Sequence, residues 1–235
     1  MSTHVNKSMA LFYAFSLMAM VGCTTGAPSI NTAADADVTF DGLNEIIDPR
    51  VGKAWARTDL DLSGYTKILF DGVDIEYRPG GEKTSRSRPS VSTDTHYQIS
   101  EQGKQRFQQA LTTAFVQEMG KSTKYTLVTE PGPDVLIVRA GVLDVVSYAP
   151  PDDRPGRGNV YLRRLGEATL VAELHDGESD AILARIVDRR AAEPAGMNLQ
   201  QSNNVQNASE VRRVATYWAF SLREALDNFE GWPES

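Results

Sequence analysis

The sequence predicts an α+β fold: a mainly antiparallel sheet of about five strands with two helices packed on one face. Three observations lead there. Segments with a period of two dominate the middle of the chain. Two further segments carry an apolar stripe at helical spacing, one ahead of most of the strands and one at the end. Each helix has a single apolar face and most strands do too, so the economical arrangement stacks both helices on one side of one sheet.

The first strand is 66–78. Val73, Ile75 and Tyr77 alternate with Asp74, Glu76 and Arg78, the pattern of a half-buried strand. Ile68, Leu69 and Phe70 run together, which predicts burial on both faces, and Gly72 marks a bulge. Residues 79–97 form a long polar loop rich in Pro, Gly and Ser. A helix follows from Glu101 to Met119, with Ser100 as N-cap and Gly120 as stop. Phe107, Ala110, Leu111, Ala114, Phe115 and Met119 share its apolar face. The next strands are 125–130, 135–148, 167–176 and 181–190, and the long apolar run of 135–148 predicts a central position. In 167–176, Ala168, Leu170, Ala172 and Leu174 alternate with Glu167, Thr169, Val171, Glu173 and His175. The turn Gly177-Glu178-Ser179-Asp180 makes the last two strands an antiparallel hairpin. A second loop, 193–206, precedes the final helix. That helix takes Asn207 as its cap, with Glu210 at capping-box spacing. Val211, Val214, Ala215, Trp218, Leu222, Leu226 and Phe229 form its apolar stripe, and Gly231 ends it.

The chain has 235 residues, a formal net charge of −7 and one cysteine. The acidic balance argues against nucleic acid as a partner. A single cysteine excludes an intramolecular disulfide and a cysteine-rich metal site. That residue, Cys23, follows the apolar run of residues 9–21, MALFYAFSLMAMV. As a helix the run reaches about 20 Å, short of the roughly 30 Å hydrocarbon core, so it reads as a signal-peptide core and not as a membrane span. Met20-Val21-Gly22-Cys23 resembles the bacterial lipobox, in which small residues lead into a cysteine that is lipidated and becomes the new N-terminus. Met20 stands where Leu is usual, and Lys7 is the one positive side chain ahead of the run. The resemblance implies cleavage between Gly22 and Cys23 and a thioether at Cys23 as part of an anchor of palmitate-class acyl chains. With Thr24 next, where an inner-membrane lipoprotein often has Asp, it implies an outer-membrane lipoprotein facing the periplasm. The other reading is an ordinary signal peptide with an incidental cysteine. The division that follows is a signal peptide over 1–22, a lipidated cysteine and flexible tether over 23–39, and one α+β domain over 40–235.

Two stretches carry a further resemblance. Residues 41–79 combine Asp48-Pro49-Arg50 with Asp61-Leu62-Ser63-Gly64-Tyr65 ahead of a strand. Residues 172–191 carry Asp176-Gly177-Glu178 and then Val187-Asp188-Arg189-Arg190. With the lipobox, they resemble a family of bacterial lipoproteins known as domain of unknown function 3313, over nearly all of the chain after the tether. The resemblance implies a location in the envelope and supplies no activity, so it brings no catalytic residues.

The residues themselves offer no catalytic constellation, no metal-ligand set and no cofactor motif, and ligand-binding residues stay unassigned. His4 belongs to the signal segment. His96, in the polar loop, and His175, on the polar side of a strand, read as solvent-exposed; a metal or catalytic pair would need them to converge. Gly80-Gly81-Glu82-Lys83-Thr84 lacks the glycine that a phosphate loop places before its lysine. Asp152-Asp153 lack the further oxygens of a calcium site. Arg163-Arg164, Arg189-Arg190 and Arg212-Arg213, with Arg86 and Arg88, read as paired surface charge, and Asp188 as part of such a network. Trp218 reads as core, and Trp55 and Trp232 as packing over the sheet edge. Asn207-Ala208-Ser209 matches a glycosylation sequon by coincidence. Three functions remain. The favoured one is a non-enzymatic module, tethered to the membrane through Cys23, that binds an envelope protein partner with its open sheet face or long loops. The second is an envelope hydrolase drawing on Asp144, Asp152 or Asp188. The third is a ligand-binding accessory subunit of a transport system, with a cavity lined by Tyr77, Phe107 and Trp218.

Overall fold

The structure, a computed structural model, describes residues 27–79, 96–150, 160–193 and 199–232. In chain order the elements are β1 (Ser29–Ile30), β2 (Asn44–Ile47), β3 (Lys53–Ala56), β4 (Lys67–Tyr77), α1 (Glu101–Met119), β5 (Thr126–Val128), β6 (Val135–Ser147), β7 (Tyr161–Leu162), β8 (Gly166–Asp176), β9 (Ile182–Ala192), β10 (Gln200–Gln201) and α2 (Asn204–Asp227).

The fold is α+β, but the sheet departs from the expected five antiparallel strands. Among the described residues it has eight strands, in the order β1-β2-β3-β9-β8-β6-β4-β5, and it is mixed. β4 runs parallel to both β6 and β5, while the remaining pairs are antiparallel. The extra strands, β1 to β3, are two to four residues long. Runs that short show no period, so their pairing comes from the tertiary context. The parallel pairing follows from connectivity: α1 carries the chain back to the end of the sheet where β4 began, as in any strand–helix–strand unit. β7 and β10 form a separate two-stranded ribbon. Ser29 and Ile30 pair with Ile47 and Ile46, so strand pairing begins inside the stretch that composition reads as tether.

The long strands match their patterns. β8 buries Ala168, Leu170, Ala172 and Leu174 on one face. Gly72 has φ +92°, and the β4–β6 register shifts between Phe70 and Val73, a bulge that needs a residue without Cβ. Leu69 packs with Val135, Ile137 and Val128 in a small cluster of its own, apart from the main core that holds Ile68. That main core joins both helices to one face of the sheet: Leu111, Phe115 and Met119 of α1, and Ala215, Trp218, Leu222 and Leu226 of α2, meet Ile68, Val138, Val142, Leu170 and Leu174. Ser100 caps α1, its hydroxyl accepting from the Gly103 N–H at 3.2 Å. α2 begins one turn earlier than expected. Asn203 is its cap, accepting from the Gln206 N–H at 2.9 Å, while Asn207 bonds back to the Ser202 hydroxyl. Between the helices, Arg223 pairs with Asp227 at 3.0 Å and reaches the buried Glu118 at 3.5 Å.

One buried carboxylate joins three parts of this fold. Asp188 of β9 is 5% exposed. It accepts from the Gly52 N–H at 3.0 Å, from Trp218 Nε1–H at 2.8 Å and from Arg190 Nε–H at 2.7 Å. Gly52 sits so close that a Cβ there would meet the Val187 carbonyl at 2.3 Å. The Arg190 guanidinium in turn lies 3.5 Å from the centre of the Tyr217 ring. Removing the carboxylate strands an indole N–H and a guanidinium, so Asp188→Ala is expected to cost about 3 kcal/mol. Trp218→Phe, which leaves two donors on the carboxylate, is expected to cost about 1–2 kcal/mol. Denaturant unfolding measures both; an Asp188→Ala chain as stable as wild type would contradict the joint.

Candidate functional site

The two stretches that carry the family resemblance meet in several places: β3 pairs with β9, Asp41 reaches Arg185, and the carboxylates of Asp188 and Asp176 each tie one stretch to the other. Asp48-Pro49-Arg50 leads into Gly52, whose amide is held by Asp188 of the other stretch. At the far end of β9, the Tyr65 hydroxyl donates to Asp176 Oδ2 at 2.7 Å. The turn after Asp176 wraps onto its other oxygen: the Ser179 hydroxyl donates to Oδ1 at 2.6 Å and the Ser179 amide at 2.7 Å. Gly177 completes the turn where a Cβ would meet the Gly132 and Val135 carbonyls at 2.5 Å. These hydrogen bonds, from Ser179 first and Tyr65 after it, hold the Asp176 carboxyl down to about 2. Burial and the adjacent carboxylate push the Tyr65 phenol up to about 12. An open groove of about 370 Å³ lies over this joint, lined by Arg57, Asp59, Asp61, Tyr65, Asp176 and Ser179 among others.

The sheet face away from the helices is covered by charged side chains that pair across strands. Asp144 sits between Arg78, 2.5 Å away, and Arg189, 2.9 Å away. Arg189 continues to Glu167 at 2.7 Å, and Glu167 accepts from the Tyr148 hydroxyl at 3.0 Å. Further along, Arg185 joins Asp41 to Glu173, and Glu173 faces His175 Nε2 at 3.1 Å. Arg139 bridges Asp71 and Asp180. The register explains the pattern, because Arg185 stands directly opposite Glu173 and Arg189 opposite Thr169. The guanidiniums of Arg189 and Arg78 hold the Asp144 carboxyl below the usual carboxylate range. Burial pushes Glu173 up, but hydrogen bonds from Arg185 and His175 outweigh it and hold it low.

These positions bear on each sequence-based candidate. Asp144 and Asp188 do not converge: Asp144 pairs with arginines on the open face and Asp188 bonds to α2 on the helix face. Asp152 and Asp153 lie outside the described residues, as do Gly22, Cys23, His4, Arg86, Arg88 and the 80–84 segment. His175 is buried, not exposed; its Nδ1 lies 3.0 Å from the Asp180 carbonyl oxygen. His96 donates from Nε2 to the Pro79 carbonyl at 3.0 Å. The two histidines sit near opposite ends of β6, since His175 pairs with Ile137 while Tyr97 bridges Ser147, a separation of about 33 Å. Tyr77 meets Phe107 edge-on at 6.4 Å, whereas Trp218 belongs to the Asp188 joint. Arg164, Arg189, Arg190 and Arg213 are paired with carboxylates as expected. Arg212, together with the paired Arg213, lines a shallow groove of about 570 Å³ on the outer side of α2, with Tyr217 and Phe220. Trp232 donates to the Arg57 carbonyl at 3.2 Å and packs edge-on against Phe229, while Trp55 lies within β3 opposite Arg185. Among the described residues no group of three His, Cys, Asp or Glu is placed to hold a metal ion.

The folded pKa of Asp176 lies below its unfolded value, so its stabilising contribution is fully present above about pH 4 and is lost as the pH falls through about 2. In a carbon-detected NMR titration, Ser179→Ala is expected to raise the Asp176 pKa more than Tyr65→Phe does. A wild-type Asp176 that titrates at the ordinary carboxylate value would contradict this geometry.

Comparison with solved structures finds distant likenesses. Protein XCC0632 from Xanthomonas campestris is 12% identical, over 68% of this chain and 82% of that one, with a TM-score of 0.39. The PelC dodecamer from Paraburkholderia phytofirmans is 9% identical, over 72% and 96%, with a TM-score of 0.34. The hypothetical protein CT253 from Chlamydia trachomatis is 10% identical, over 69% and 98%, with a TM-score of 0.34. Comparison with curated proteins finds no significant match. A family match covers residues 36–222, from ahead of β2 to the last turns of α2, and so takes in both joints; the chain belongs to the DUF3313 family, proteins of unknown function.

Proposed function

We propose that this chain is a membrane-anchored lipoprotein of the bacterial cell envelope, held at the outer membrane by acyl chains at Cys23 and facing the periplasm. Its folded domain then serves as a non-enzymatic binding or accessory module. The observation that carries the reading is the N-terminal sequence: an apolar run too short to span a bilayer, then Val21-Gly22-Cys23, with the one thiol of the chain at the junction. Each buried methylene of an acyl chain contributes about 0.8 kcal/mol, so two or three chains hold a domain firmly where one would not. Among the described residues no helix is long and apolar enough to cross a membrane.

The binding role is supported by the chemistry of the open face. Its arginines and carboxylates neutralise one another in pairs. Asp144 is held ionised by two guanidiniums, which suits it to ion pairing and not to donating a proton. A face of this kind meets a partner through polar contacts that exchange one ion pair for another.

Replacing Cys23 tests the anchor. Cys23→Ser is expected to abolish metabolic fatty-acid labelling and to move the protein out of the outer-membrane fraction. Unchanged labelling and fractionation would overturn the proposal.

A further inference from the structure

The N-terminal edge of the sheet holds apolar side chains in water. Phe40 is 96% exposed, Val38 51% and Ile47 47%. Phe40 is not a loose side chain on a loose loop. It sits at the tip of a turn closed by the Gly42 N–H donating to the Thr39 carbonyl at 2.9 Å and by the Thr39 N–H donating to the Leu43 carbonyl at 2.9 Å. Gly42 takes φ +83°, the Thr39 hydroxyl bonds Asp41, and Asp41 is pinned to Arg185 of β9. Leu43, next in the chain, is fully buried. A clamped turn thus presents a whole aromatic ring outward, beside the two-stranded β1–β2 edge.

The distance to Cys23 says what lies beside it. β1 begins at Ser29, which pairs with Ile47. The six peptide steps from Cys23 to Ser29 reach at most about 20 Å when fully extended. A diacylglyceryl anchor at Cys23 therefore keeps this edge within that distance of the lipid headgroups. Resting on the anchor reading, we infer that the β1–β2 edge, led by Phe40 with Val38 and Ile47, seats in the interfacial region of the bilayer and fixes how the domain stands on the membrane. The occupant of this surface is the phospholipid interface itself. At the turn the contact is apolar: Asp37 flanks it and Asp41 is paired with Arg185, so the Phe40 ring itself is the part that enters the interface.

The full lipidated chain provides the test, in vesicles of phosphatidylethanolamine and phosphatidylglycerol. Cys23 is the only cysteine and is a thioether in the anchored form, so Phe40→Cys leaves one reactive thiol for an environment-sensitive fluorophore. Val116→Cys, at a site 41% exposed on α1, is the control, and Ile47→Cys a second site should the turn not tolerate a label. Labels at 40 and 47 are expected to be quenched by spin-labelled acyl chains about twofold or more above the label at 116, to be shielded from iodide, and to be insensitive to added salt. Vesicles that carry the protein while the labels at 40 and 47 remain as open to iodide as that at 116 would overturn this inference and leave the anchor standing. A wild-type chain that takes up the thiol label and fails to float with vesicles would overturn both.

Discussion

The Asp188 carboxylate is the constraint on which the rest of the structure depends. A buried carboxylate is tolerable only when donors surround it. Its donors come from the loop before β3, from the indole of α2 and from Arg190. Meeting them fixes α2 over β9 and draws β2 and β3 onto the sheet beside it. With α2 in place, α1 packs against it through Arg223 and Glu118 and covers β4. At the other end of the β8–β9 hairpin, Asp176 does similar work on a smaller scale, tying the chain entering β4 to the hairpin turn. Both joints lie within the residues of the family match, and each ties together segments more than a hundred residues apart in the chain.

This division of labour leaves the sheet with two contrasting faces. One is apolar and covered by helices. The other carries ion pairs that link β4, β6, β8 and β9. Exposed pairs of this kind add little stability each, but they neutralise the arginines that cross this face. What remains unusual on the surface is local: the apolar turn at Phe40 and the arginine–aromatic groove of α2.

Much of the core was legible in the sequence because long elements carry a clean period. The alternation in β8, the both-faces run Ile68-Leu69-Phe70, the bulge at Gly72 and the apolar faces of both helices all stand where spacing places them. The strand count was not legible, because β1 to β3 are too short to show a period and owe their pairing to β9 and to the Asp188 joint. The parallel pairing left a signal that spacing alone does not weigh: a strand, a helix and a strand in succession over 67–128. The start of α2 was misplaced by one turn because Asn203 and Asn207 are both good caps, and Asn203 wins by capping Gln206. His175 was misjudged because alternation assigns it to the polar face, while the turn after β8 folds over it and covers the ring. As for the joints, a core tryptophan needs a partner for its N–H, and that need was the sequence-level sign that a carboxylate such as Asp188 would be found against Trp218.

We propose that acyl chains on the Cys23 sulfur anchor this α+β domain to the membrane. Intact mass spectrometry of the protein purified from its native membrane tests it most directly. The account predicts a chain that starts at Cys23 and carries the added mass of a diacylglyceryl group, with or without an amide-linked acyl chain. A chain retaining residues 1–22, or one bearing an unmodified thiol at Cys23, would contradict it.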